Sequence, residues 1–131
     1  RAITTMCHGL KRKPREILQS FYKQAAHPFC CDPESSKAML HAAKGRIGQL
    51  TEGLQFLLKT DLRHHPVPGN LPTAIIHGEK DQIVPHRAGG ILGERQIPSC
   101  FELVSGVGHD LPLRRPDIIA TSFRRLEEMC K

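Results

Sequence analysis

Two residues in this chain have types and settings suited to proton transfer. Asp81 sits in Gly78-Glu79-Lys80-Asp81-Gln82-Ile83-Val84-Pro85, and His109 closes Gly106-Val107-Gly108-His109. A carboxylate that accepts a hydrogen bond from one imidazole nitrogen fixes the tautomer. The other nitrogen is then the one that takes a proton from a hydroxyl. Alone, an Asp in a turn usually serves the turn, because its side chain bonds to nearby backbone N–H groups. Together, in the order Asp then His, the two are far more specific.

The elements around them supply that specificity. Thr73-Ala74-Ile75-Ile76-His77-Gly78 is a short apolar run of the kind buried in a parallel strand, and Asp81 follows it. Phe101 to Ser105 reads as a second strand, and His109 follows that one. Both residues therefore belong on loops at the carboxyl edge of one sheet, where ligands bind in open α/β folds. Residues 86–95 can form the connecting helix, although Gly89, Gly90 and Gly93 weaken it. Pro116 opens a final helix whose inner face would carry Ile118, Ile119, Phe123 and Leu126.

The first half reads as helical. Pro14 suits a first helical turn, and Ile17, Leu18, Phe21, Tyr22 and Ala25 follow at helical spacing. His27-Pro28 should end that helix. Asp32-Pro33 signals a second start, an N-cap followed by proline. A third helix would place Ile47, Leu50, Leu54, Leu57 and Leu58 on one side. His64 to Asn70 is a loop rich in breakers. Two parallel strands do not complete an α/β sheet, so the sequence predicts a core segment N-terminal to these residues. The start at Arg1 rather than Met agrees with that expectation.

These motifs resemble the C-terminal end of an α/β-hydrolase. The matching pieces are LPTAIIHGEKDQIVP at 71–85, the GVGH turn and LRRPDIIATSFRRLEE at 113–128. In that family the chain order is nucleophile, then acid, then histidine. The resemblance implies Asp81 as triad acid and His109 as triad base. It implies a helical lid over residues 1–65 and the end of the hydrolase core over 66–131. The stretch GLQFLLKTDLRHHPVPGNLP, residues 53–72, is similar to the segment leaving the lid in the pimeloyl-[acyl-carrier protein] methyl ester esterases of biotin synthesis. That implies a serine carboxylesterase acting on a small acyl ester, with an acyl-carrier protein as partner and no cofactor. The family's G-x-S-x-G elbow does not occur among Ser20, Ser35, Ser36, Ser99, Ser105 and Ser122. The nucleophile is thus expected in the N-terminal core segment. The alternative is an inactive hydrolase relative that binds an acidic protein through its basic helices.

Charge placement bears on partners. The net charge is +6 over 131 residues. Residues 1–65 hold 11 Lys/Arg against 5 Asp/Glu, and residues 66–131 hold 8 of each. Lys11, Arg12, Lys13, Arg15 and Lys23 cluster at or near the first helix, where they would meet an acidic partner. With one Tyr, five Phe and no Trp, the chain offers no base-stacking platform, so nucleic acid is not expected. No apolar run approaches the ~18–20 residues of a membrane span. Cys7, Cys30, Cys31, Cys100 and Cys130 are odd in number and lack CxxC spacing. Reduced thiols, a cytoplasmic location and no zinc site are expected.

Overall fold

The computed structural model describes residues 2–62, 65, 72–95 and 99–129. The predicted loop at 64–70, His65 apart, and Cys130 lie outside them. The chain divides into two compact units, residues 1–23 with 31–65 and residues 24–30 with 66–131.

The first unit is helical: α1 (Ala2–Arg12), most of α2 (Pro14–Ala26), α3 (Pro33–Ala43) and α4 (Ile47–Lys59). Helix α1 was not expected. Thr4, Thr5 and Gly9 are poor helix formers, yet Ile3, Met6, Cys7 and Leu10 make an apolar stripe at helical spacing. That stripe buries Cys7 and Leu10. Gly9 permits the approach of α2, since a Cβ there would lie 2.6 Å from Ile17 Cδ1. Leu10, Leu18 and Ala43 form the core, with Met6, Ile17, Tyr22, Leu40, Ile47 and Leu54 packed around it.

Helix α3 starts as the sequence predicts. Asp32 is its N-cap, its carboxylate accepting the Ser35 N–H at 2.7 Å, with proline at the first helical position. Helix α4 departs in part from expectation. Ile47 and Leu54 reach the core, whereas Leu50, Leu57 and Leu58 are exposed. Within α4, Thr51 is buried and returns its hydroxyl to the Ile47 carbonyl at 2.8 Å.

The second unit is an α/β arrangement. Strands β1 (Thr73–Gly78) and β2 (Ser99–Val104) pair in parallel, from Thr73 opposite Ser99 to Gly78 opposite Val104. Helix α5 (His86–Arg95) connects them and packs on both. A short α6 (Leu111–Arg114), also unexpected, precedes α7 (Pro116–Met129), which packs on β1. Val104, Val107 and Leu111 form the core, covered by Ile76, Ile118 and Ile119. Strand β2 begins and ends earlier than the 101–105 expected, because pairing with Thr73–Gly78 sets its length. Phe123 corrects another expectation, since it is 64% exposed. Its stripe continues from Ile119, but the two-stranded sheet offers it no further strand among the described residues.

Candidate active site

Each site loop leaves the carboxyl end of a strand. After β1, Asp81 N–H bonds back to the Gly78 carbonyl at 3.2 Å. After β2, Gly106 takes a left-handed φ of 73°, which turns the chain sharply. Buried Val107 then anchors the loop, and buried Leu111 anchors its far side. His109 lies between these anchors, with its side chain 39% exposed.

The two loops are bonded along their backbones. Glu79 N–H donates to the Val104 carbonyl at 2.9 Å, and Lys80 N–H donates to the Val107 carbonyl at 2.8 Å. At Gly78 a side chain would strike the Gly108 carbonyl, and its Cβ would lie 2.6 Å from the Val107 oxygen. Residues 24–30 support the loop from another direction. Asp110 N–H donates to the Ala25 carbonyl at 3.1 Å. Gly108 lies so close to the His27 carbonyl that any Cβ would overlap it. Arg114 lies over the Phe29 ring at 5.0 Å and pairs with Asp110 at 2.9 Å.

This framework brings Asp81 Oδ2 to 2.9 Å from His109 Nδ1. Asp81 Oδ1 accepts the backbone N–H groups of Ile83 at 2.7 Å and Val84 at 2.9 Å. The Asp81 side chain is only 5% exposed. Burial alone would raise its carboxyl. The hydrogen bonds from Val84, His109 and Ile83, with the attraction of His109, outweigh that and hold it below the ordinary carboxylate range. A carboxylate that stays charged can orient the imidazole and stabilise it when protonated.

Two neighbours escaped sequence reasoning. His77, 13% exposed at its side chain, lies 3.4 Å from Asp81 Oδ2. Its Nε2 is 2.9 Å from the Val84 carbonyl, an acceptor, so Nε2 carries the proton. Gly89 leaves space for this ring, because a Cβ there would lie 2.8 Å from His77 Nδ1. The histidine directly before Gly78 was the available signal. Glu79 is the second neighbour, bonded to Ser105 Oγ at 3.0 Å and to Gly106 N–H at 3.1 Å. Its pairing could not be read from spacing, since the partners are 26 and 27 residues away. Ser105, the serine nearest His109 in sequence, thus directs its hydroxyl to Glu79.

The clustered basic residues belong to the first unit. Lys11, Arg12, Lys13, Arg15 and Lys23 are all exposed, on α1, the joint after it, and α2 within the first unit. Lys13 pairs with Glu16 at 3.1 Å. Among the described residues no group of three or more His, Cys, Asp or Glu is arranged to hold a metal ion. Cys7, Cys30, Cys31 and Cys100 are free thiols. No helix among the described residues is long and apolar enough to cross a membrane.

No protein-family model matches the chain, and no curated protein matches it. Solved structures do. An esterase from Exiguobacterium antarcticum is 19% identical with a TM-score of 0.83, over 96% of this chain and 47% of the esterase. A bromoperoxidase from Bacillus anthracis is 24% identical with a TM-score of 0.82, over 96% of this chain and 48% of that one. A thermophilic esterase is 17% identical with a TM-score of 0.78, over 95% and 50%. The chain spans about half the length of these structures. With parallel strands that deliver an acid and then a histidine, the chain has the fold of the C-terminal part of an α/β-hydrolase.

Proposed function

We propose that this chain supplies the acid and base of a serine-type carboxylic ester hydrolase. One observation carries the reading: Asp81 Oδ2 meets His109 Nδ1 at 2.9 Å, from adjacent loops at the carboxyl ends of paired parallel strands. With Nδ1–H donated to Asp81, Nε2 holds the imidazole lone pair. It takes the proton of a serine hydroxyl as that oxygen attacks the ester carbonyl. Asp81 stabilises the imidazolium, which then returns the proton to the departing alkoxide. Water repeats the sequence on the acyl-enzyme. Backbone N–H groups would stabilise each oxyanion. The serine and that oxyanion hole are expected in a core segment N-terminal to these residues. The scheme uses no metal or organic cofactor.

The finer reading is a carboxylesterase that releases a methyl ester from an acyl group held by a carrier protein. Its support is the resemblance of residues 53–72 and the exposed cations of α1 and α2. Residues 1–65 would be the lid. Esterase and bromoperoxidase neighbours agree with hydrolase-type chemistry. A complete enzyme assayed with a short p-nitrophenyl ester tests the reading, and His109→Ala should abolish turnover.

The absence of a G-x-S-x-G elbow from these 131 residues favours a second reading, an inactive relative that binds an acidic protein. Hydrolysis of p-nitrophenyl acetate by the purified chain, lost in His109→Ala, would sink it.

A further inference from the structure

The two loops that carry Asp81 and His109 are joined by a second carboxylate. Glu79 stands two residues before Asp81, and its Oε2 accepts the Ser105 hydroxyl at 3.0 Å and the Gly106 N–H at 3.1 Å. Gly106 begins the turn that leads to His109, with its left-handed φ of 73°. Gly106 is exposed, and a Cβ built on it would point into open space. The far side of the loop is held differently, by buried Val107 and Leu111 and by the backbone at His27. On the near side the polar tie to Glu79 supplements the backbone bond from Glu79 N–H to the Val104 carbonyl.

We propose that Glu79 is a positioning residue: its carboxylate fixes the Ser105–Gly106 turn to the Asp81 loop and so sets the distance at which His109 meets its acid. The inference rests on reading Asp81 and His109 as an acid–base pair. The charge on Glu79 is suited to the task. Gly106 N–H first, then the Ser105 hydroxyl and Lys80, hold its carboxyl below the ordinary range. Charge-assisted bonds to a carboxylate are shorter and stronger than neutral ones, so a neutral replacement loosens the tie. Lys80 Nζ, 3.6 Å away and half-exposed, adds little restraint. Among the described residues Glu79 bonds to neither the Asp81 nor the His109 side chain, so it would act through the loop.

Nitrogen NMR of the labelled chain tests this. His109 Nδ1 and Nε2 shifts report which nitrogen carries the proton, and amide exchange at Gly106 reports the turn. In Glu79→Ala, Gly106 exchange should quicken at least tenfold and the Nδ1–H tautomer of His109 should lose population. Glu79→Gln keeps one acceptor oxygen and should fall between. Unchanged His109 shifts in a folded Glu79→Ala chain would overturn the proposal. Should that variant not fold, Ser105→Ala decides instead, because it removes one bond and leaves Gly106 N–H bonded. His109 must then shift in the same direction, and an unmoved His109 overturns the inference. Asp81→Asn separates this from the functional reading, since it should move His109 while leaving Gly106 exchange unchanged. If a complete enzyme hydrolysed no ester while Glu79→Ala still moved His109, the hydrolase reading would fail and the positioning role would stand.

Discussion

Asp81 divides its carboxylate between two tasks, and His109 receives one of them. Oδ1 closes the loop on the N–H groups of Ile83 and Val84, and Oδ2 meets His109 Nδ1 at 2.9 Å. A turn residue and an orienting acid are usually competing explanations of an aspartate. Here the geometry lets one side chain serve both, so the loop that would position the acid is built by that same carboxylate.

A pH dependence of stability follows. Asp81 has its carboxyl held below the ordinary value by its hydrogen bonds. Such a group contributes stability that is fully present above the unfolded value of about 3.9 and is lost as pH falls through the lower folded value. Urea midpoints measured from pH 6 down to pH 2 should therefore fall in the wild-type chain. Asp81→Asn should start lower and fall less steeply. Parallel profiles would show that the carboxylate contributes nothing.

Two glycine substitutions should have opposite signs. Gly108→Ala drives a methyl group into the His27 carbonyl, which is backbone and cannot rotate away. Overpacking of that kind costs about 1–3 kcal/mol. Gly53 lies inside α4 with open space around it. Gly53→Ala should add about 0.5–1 kcal/mol through helix propensity. Chemical denaturation of both variants checks the pair.

The basic cluster makes a prediction about partners. If Lys11, Arg12, Arg15 and Lys23 meet an acidic carrier protein, affinity should fall as salt rises, mostly through slower association. Charge reversal at Arg12 and Arg15 should reduce binding and flatten the salt dependence. Lys13, already paired with Glu16 at 3.1 Å, should matter least. Surface plasmon resonance across a salt series gives both quantities, and salt-independent binding would remove the cluster from the interface.

The legible parts of this chain were those fixed by local signals. The meeting of Asp81 and His109 could be read because each follows an apolar run and a glycine turn. Asp32-Pro33 announced α3 because an N-cap and a first-turn proline act within four residues. Helix α1 was hidden, because its poor helix formers mask an apolar stripe that gains its stability from tertiary burial. Glu79 was hidden for another reason, since it meets Ser105 and Gly106 only once the two loops are brought together and no spacing along the chain encodes that pairing. His77 meets Asp81 and Val84 in the loop that follows it, four and seven residues on, and the signal was simply the histidine before Gly78. The exposure of Phe123, Leu57 and Leu58 was equally out of reach, since periodicity marks an apolar face without saying what covers it.

The central claim is that His109 is a base held in place by Asp81. Steady-state hydrolysis of p-nitrophenyl butyrate by a complete enzyme, compared with its His109→Ala and Asp81→Asn forms, tests it most directly. The prediction is a fall in kcat of roughly 10⁶-fold for His109→Ala and about 10⁴-fold for Asp81→Asn, with little change in KM. Turnover undiminished in His109→Ala would contradict it.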